Sequence, residues 1–167
     1  MKAVIPRPVG MLVLLTILTT TSIFGIAPAV ALESNEATGM LSVLYANYLD
    51  LDGDGLDDDV LTTSMLEINQ EISAMFTVEL TMLTTPSGRS FVYIVTISGD
   101  YSRLWVTISW YNAALEAGIY RVSVVAIVAY QGGLGIFSCE YEFDPPGGGD
   151  PGPPLTPDAY SNVTIEP

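Results

Sequence analysis

The chain has 167 residues, with 19 Asp and Glu against 5 Lys and Arg, no His, and a formal net charge of −14. This length suits one domain of ordinary size. So few cations cannot neutralise a run of phosphates or hold an anionic lipid surface, which excludes nucleic-acid binding and electrostatic adsorption to membranes. The single cysteine excludes an intrachain disulfide, and the lack of His removes the usual general base and zinc ligand.

Residues 1–31 have the pattern of a signal peptide. Lys2 and Arg7 precede an apolar run that starts at Met11, and Ala29-Val30-Ala31 is an A-x-A cleavage signature. The alternative is an uncleaved membrane anchor, because the apolar stretch is nearly long enough to span a bilayer. Cleavage predicts a secreted or cell-surface chain that begins near Leu32 and has no further membrane segment.

Residues 32–144 show an alternation of period two that predicts an all-β domain. Turn signals recur about every ten residues, the pattern of a β-sandwich of about seven strands. The predicted strands are Met40–Leu49, Val60–Ile68, Ile72–Thr84, Ser90–Ser98, Arg103–Tyr111, Ile119–Tyr130 and Ile136–Asp144.

Three of these strands carry informative patterns. The third has an apolar face and a polar face, with Phe76, Val78, Leu80 and Met82 opposite Thr77, Glu79 and Thr81. Ser90–Ser98 is apolar on both faces, so it is predicted to be buried on both, and Ser98-Gly99-Asp100 is predicted to be a turn. In the fifth strand Leu104, Val106, Ile108 and Trp110 lie opposite Trp105, Thr107, Ser109 and Tyr111.

The segment Glu116–Val124 reads EAGIYRVSV. It resembles the entry to a late strand in immunoglobulin-like, fibronectin type III and PKD-type domains. In those domains the tyrosine, here Tyr120, closes a corner of the sandwich. The resemblance implies a single immunoglobulin-like β-sandwich and carries no functional assignment.

Residues 145–167 hold seven prolines and four glycines. This composition predicts a flexible, disordered C-terminal tail. Within it, Asn162-Val163-Thr164 is a sequon that predicts N-glycosylation at Asn162.

The loop Asp50–Asp59 places six carboxylates in ten residues, with Gly53 and Gly55 where the chain must turn. Their mutual repulsion predicts a bound cation, and all-oxygen ligands favour calcium. Numbered from Asp50, the loop has Asp at positions 1, 3, 5 and 9 and a glycine at position 6. The predicted calcium ligands are the side chains of Asp50, Asp52, Asp54 and Asp58 and the carbonyl oxygen of Leu56. An acidic hairpin turn without metal is the alternative.

The first half of this loop resembles the EF-hand calcium loop. Position 12 is Leu61 instead of the usual Glu, and the flanks are strands. The pattern D-x-D-x-D-G-x-x-D between strands is more similar to the loops of FG-GAP and thrombospondin type 3 repeats. That similarity implies that Asp58 closes the ligand shell and that Asp57 or Asp59 is spare.

These patterns favour a secreted, non-enzymatic, calcium-binding module with a structural or adhesion role. Without His, and with no lysine after cleavage, the chain offers no nucleophile–base pair. A carbohydrate-binding module is an alternative, in which Trp105 and Tyr111 form an aromatic platform. A subunit of a surface layer or filament is another. The expected partners are calcium and either a glycan or another cell-surface protein.

Overall fold

The computed structural model describes residues 39–68, 74–130, 133–144 and 157–167. Within these ranges the chain forms eight β-strands and no helix. The predicted signal peptide and residues 145–156 of the predicted tail lie outside the described residues. The strands are β1 (Gly39–Leu49), β2 (Asp59–Ile68), β3 (Ala74–Thr84), β4 (Ser90–Tyr101), β5 (Arg103–Tyr111), β6 (Tyr120–Tyr130), β7 (Gly133–Phe143) and β8 (Asp158–Glu166).

The strands form two antiparallel sheets. The first sheet has the order β1-β2-β5-β8 and the second has the order β4-β3-β6-β7. The predicted all-β sandwich is therefore confirmed. The neighbours β1-β2-β5 and β3-β6-β7 follow the A-B-E and C-F-G order of immunoglobulin domains, so the topology is compatible with an immunoglobulin-like fold.

Tyr120 closes a corner of the sandwich, as the resemblance of Glu116–Val124 implies. It is fully buried at the first position of β6. Its hydroxyl donates to the backbone carbonyl oxygen of Glu116 at 3.0 Å and accepts from the Glu116 N–H at 2.8 Å. The corner fixes where the β5–β6 connection enters the second sheet.

The last part of the predicted flexible tail is a strand, so the prediction is wrong for these residues. β8 pairs with β5 along its whole length, from Arg103 opposite Glu166 to Tyr111 opposite Asp158. The Arg103 guanidinium also joins Glu67 and Glu166. Asp158–Glu166 contains neither proline nor glycine, and β5 supplies the partners that its backbone needs.

The turn predicted at Ser98-Gly99-Asp100 is also wrong, because β4 continues through these residues to Tyr101. Tyr101 is fully buried and pairs with Ala74 of β3. The chain crosses to the other sheet at Ser102, whose carbonyl oxygen accepts from Ile68 N–H at 2.8 Å and whose N–H donates to Glu166 at 3.0 Å.

Between the sheets lies a core with apolar and polar parts. On β5 the inward face is the one that carries Leu104, Val106, Ile108 and Trp110, which are at most 1% exposed. On β3, however, the polar face is the buried one, and the apolar residues from Phe76 to Met82 point outward. The prediction that β4 is buried on both faces is wrong as well, since Val92 and Ile94 are 56% and 57% exposed.

Candidate metal centre

The acidic loop connects β1 and β2, two neighbouring strands of the first sheet. Gly53 and Gly55 have φ values of 80° and 90°, in the left-handed region that favours glycine. These two glycines allow the chain to turn twice within five residues. The turns bring the acidic side chains of the loop back towards its start.

Asp50 organises the exposed part of the loop. Its Oδ1 accepts from the Gly53 N–H at 2.6 Å, and its Oδ2 accepts from the Gly55 N–H at 3.0 Å. Asp52 accepts from the N–H of Asp54 at 3.1 Å, and Asp54 accepts from the N–H of Leu56 at 2.8 Å. The alternate aspartates therefore hold the backbone in place through their own hydrogen bonds.

Asp59 holds the loop in place by accepting hydrogen bonds from its backbone. It is fully buried, and its Oδ2 accepts from the N–H groups of Leu51 and Asp52 at 2.7 and 3.1 Å. Its Oδ1 accepts from Asn112 N–H at 2.8 Å, and the Asp58 carbonyl oxygen accepts from Ala114 N–H at 2.7 Å. The loop is thus attached to the β5–β6 connection as well as to its own strands.

Three carboxylates meet at the centre of this arrangement. Oxygen atoms of Asp50, Asp52 and Asp59 all lie within 4.8 Å of one another. No cationic side chain forms an ion pair with them among the residues that the structure describes. Three converging negative charges and a purely oxygen donor set fit a hard divalent cation.

Asp58 adds a second buried carboxylate to the same loop. It is 8% exposed, and its Oδ1 has no hydrogen-bond partner. Burial raises the pKa of this carboxyl, and the negative charges of Asp54, Asp59 and Asp52 raise it further. A cation bound among these groups would reduce that repulsion.

The structure brings together some of the predicted ligands and places others differently. Asp50 and Asp52 belong to the triad, whereas Asp54 and Asp58 lie outside it. The Leu56 side chain is 57% exposed. The third member is Asp59, which the sequence pattern left as a spare beside Asp57. No local signal identified it, because the predicted second strand began at Val60 and one donor to Asp59 is Asn112, 53 residues away.

The residues predicted for glycan contact lie on the outer face of the first sheet. Trp105 and Tyr111 are both half-buried on β5, but six residues of strand separate them by roughly 20 Å. Tyr111 instead contacts Tyr160 of β8, with ring centroids 5.7 Å apart. Asn162 is exposed on β8 opposite Thr107, so its predicted modification remains sterically accessible.

Comparison with protein-family models and with curated proteins finds no match to this chain. Across the stretches that the structure describes, no helix is long and apolar enough to cross a membrane.

Proposed function

We propose that the protein is a secreted, non-enzymatic calcium-binding module whose ion has a structural role. The observation that carries the proposal is the triad of Asp50, Asp52 and Asp59, with their oxygens within 4.8 Å of one another and the unpartnered Asp58 Oδ1 in the same loop. Calcium accepts six to eight oxygen ligands in a flexible geometry, whereas magnesium demands a near-ideal octahedron. The uneven set of carboxylates in this loop favours calcium.

The ion would act by fixing three segments of backbone at one end of the sandwich. The triad joins the loop to the start of β2, and Asp59 also accepts from Asn112 in the β5–β6 connection. Neutralising the triad would remove the repulsion that opposes this arrangement. Extracellular modules with such sites have dissociation constants of about 10⁻⁴–10⁻³ M, so calcium outside a cell would occupy the site for much of the time.

The test is the effect of calcium on thermal unfolding after treatment with a chelator. A dissociation constant in that range predicts that 10 mM calcium adds about 1.4–2.7 kcal/mol to the free energy of unfolding. For a domain of this size the gain corresponds to a rise in Tm of about 5–10 °C. Magnesium at the same concentration should give a smaller rise.

Substitutions in the loop test whether the calcium-dependent rise in Tm comes from binding at this site. We expect Asp52→Ala to abolish the calcium-dependent rise in Tm, because Asp52 belongs to the triad. Asp54→Ala should reduce the rise, because the loop then loses one of the negative charges that act on Asp58. Asp57→Ala is the matched control, since Asp57 is exposed in the same loop and outside the triad. If Asp52→Ala and Asp54→Ala leave the rise unchanged, the ion is not bound in this loop.

A further inference from the structure

The β5–β6 connection, residues 112–119, supplies hydrogen bonds to the acidic loop from outside that loop. The Asn112 N–H donates to Asp59 Oδ1 at 2.8 Å, and the Ala114 N–H donates to the Asp58 carbonyl oxygen at 2.7 Å. Asp58 and Asp59 are the two most buried residues of the loop, at 8% and 0% exposure. The least accessible part of the loop is therefore held by a segment that begins 53 positions after Asp59 in the sequence.

Asn112 turns the chain directly after β5. Its φ of 55° lies in the left-handed region, and no other non-glycine residue in the part of the chain that the structure describes has a positive φ. Residues with a Cβ atom avoid this region because of a close approach to the following carbonyl oxygen, and Asn is among those that tolerate it best. Such a conformation persists where surrounding contacts fix it, and the hydrogen bond to Asp59 is one of these contacts.

The hydrogen bonds of Asp59 leave one of its two oxygens better able to bind a cation. An ionised carboxylate offers about four acceptor sites, which its two oxygens share equally. Oδ2 accepts from the N–H groups of Leu51 and Asp52, so both of its sites are used. Among the described residues Oδ1 accepts only from Asn112, which leaves one site on that oxygen. The remaining capacity of Asp59 for a cation is therefore on the oxygen that Asn112 holds.

We propose that Asn112 is a positioning residue of the metal centre and that Asp59 binds the ion through Oδ1. The inference rests on the proposed function, because it gives a role to a residue that supports the triad of Asp50, Asp52 and Asp59. Loss of a hydrogen bond that orients a metal ligand typically weakens metal binding about 10- to 100-fold. Without the Asn112 N–H, the Asp59 carboxylate keeps only the donors to Oδ2, so that Oδ1 is no longer fixed relative to Asp50 and Asp52.

A purely structural role for Asn112 predicts a different result from a positioning role. If the turn only connects the two sheets, a substitution at Asn112 lowers the free energy of unfolding and leaves the calcium affinity of the folded protein unchanged. If the turn positions Asp59 Oδ1, the affinity of the folded protein falls whether or not the fold is destabilised. Calcium affinity under conditions where the protein is folded therefore separates the two roles.

The test is a calcium titration of the full chain, followed by NMR of the loop amides at a temperature where circular dichroism shows every variant to be folded. Asn112→Val should raise the calcium dissociation constant about tenfold or more, because a β-branched residue disfavours positive φ and moves the N–H away from Asp59. Asn112→Gly keeps the N–H and permits the turn, so its dissociation constant should stay close to that of the wild type. Ala117→Val is the matched control, because Ala117 is exposed in the same connection and donates neither of the hydrogen bonds to Asp58 and Asp59.

Three results would each overturn the proposal. Asn112→Val could bind calcium as tightly as the wild type and Ala117→Val do, which would leave the calcium site in place and remove only the role of Asn112. Asn112→Gly could bind as weakly as Asn112→Val, which would show that the backbone N–H of Asn112 is not what the site needs. Finally, the loop amides of the wild type could show no response to calcium, which would remove the proposed function as well.

Discussion

Two carboxylates of this molecule, Asp59 and Glu79, are equally buried but have opposite surroundings. Asp59 is 0% exposed, and its two oxygens accept three backbone N–H groups. Glu79 is 1% exposed, and its Oε1 accepts from the hydroxyls of Ser64 at 2.7 Å and Thr81 at 3.3 Å. Its Oε2 has no hydrogen-bond partner.

The two carboxylates differ in their hydrogen-bond donors, which are backbone amides at Asp59 and side-chain hydroxyls at Glu79. The N–H groups around Asp59 are fixed donors, so that the loop and the β5–β6 connection fold around its negative charge. Glu79 lies between the sheets, where burial raises its pKa and the hydrogen bonds from Ser64 and Thr81 only partly oppose that rise. Backbone N–H groups from three residues converge on the first carboxylate, whereas the environment of the second favours its protonated form.

The largest expected effect comes from Asp59→Ala measured in chelator, where no metal contributes. The variant leaves the three N–H groups without their acceptor, and hydrogen bonds to charged groups are worth about 1.5–3 kcal/mol each. We expect a loss of roughly 3–5 kcal/mol in the free energy of unfolding by denaturant. Asp57→Ala, at an exposed position of the same loop, should change it little, and an equal loss in both variants would contradict the anchoring role of Asp59.

An intermediate effect is expected from Glu79→Gln, and it depends on pH. Because the folded-state pKa of Glu79 is raised above the ordinary 4.5, its protonated form stabilises the fold fully below about that pH. This stability is lost as pH rises through the folded-state pKa. Glu79→Gln removes the loss, so we expect it to be about 1–3 kcal/mol more stable than the wild type at pH 8.

The measurement is urea unfolding of both proteins from pH 4 to pH 8. Asp58 also has a raised pKa and a dependence of the same sign, but it is present in both proteins, so the difference between them isolates Glu79. A difference that does not grow with pH would show that the folded-state pKa of Glu79 is not raised above its ordinary value.

The smallest effect is expected from Ser64→Ala. The Ser64 hydroxyl donates to Glu79 and lowers its pKa, so the variant should raise that pKa further. We expect a loss of about 1 kcal/mol at pH 8 and a smaller loss at pH 4, where Glu79 is protonated in the wild type too. An equal loss at both pH values would mean that Ser64 contributes by packing alone.

Much of the fold followed from local patterns. Alternation predicted seven of the eight strands to within a few residues, because side chains on a strand change face at every position. It could not predict which face of β3 is buried. That choice depends on the hydrogen bond from Ser64 to Glu79. The two residues are 15 positions apart in the sequence and lie on opposite sheets.

The candidate site, like the fold, could be predicted from the sequence only in part. The spacing of Asp50 and Asp52 and the two glycines that turn the loop are local features, so they could be found without a structure. The role of Asp59 could not, because one of its donors is Asn112, 53 residues away. β8 was missed for a related reason, since its backbone partners lie on β5 and a Pro/Gly-rich segment precedes it.

By itself the sequence determined that this protein is an all-β sandwich with an acidic loop that could hold a metal ion and a corner closed by Tyr120. These features depend on alternation, turn residues and short spacing, which act within about ten residues. Only the tertiary structure decided that Asp59 completes the triad, that β8 joins the first sheet and that the second sheet presents its apolar face. Each of these depends on contacts between segments distant along the chain, which local patterns do not encode.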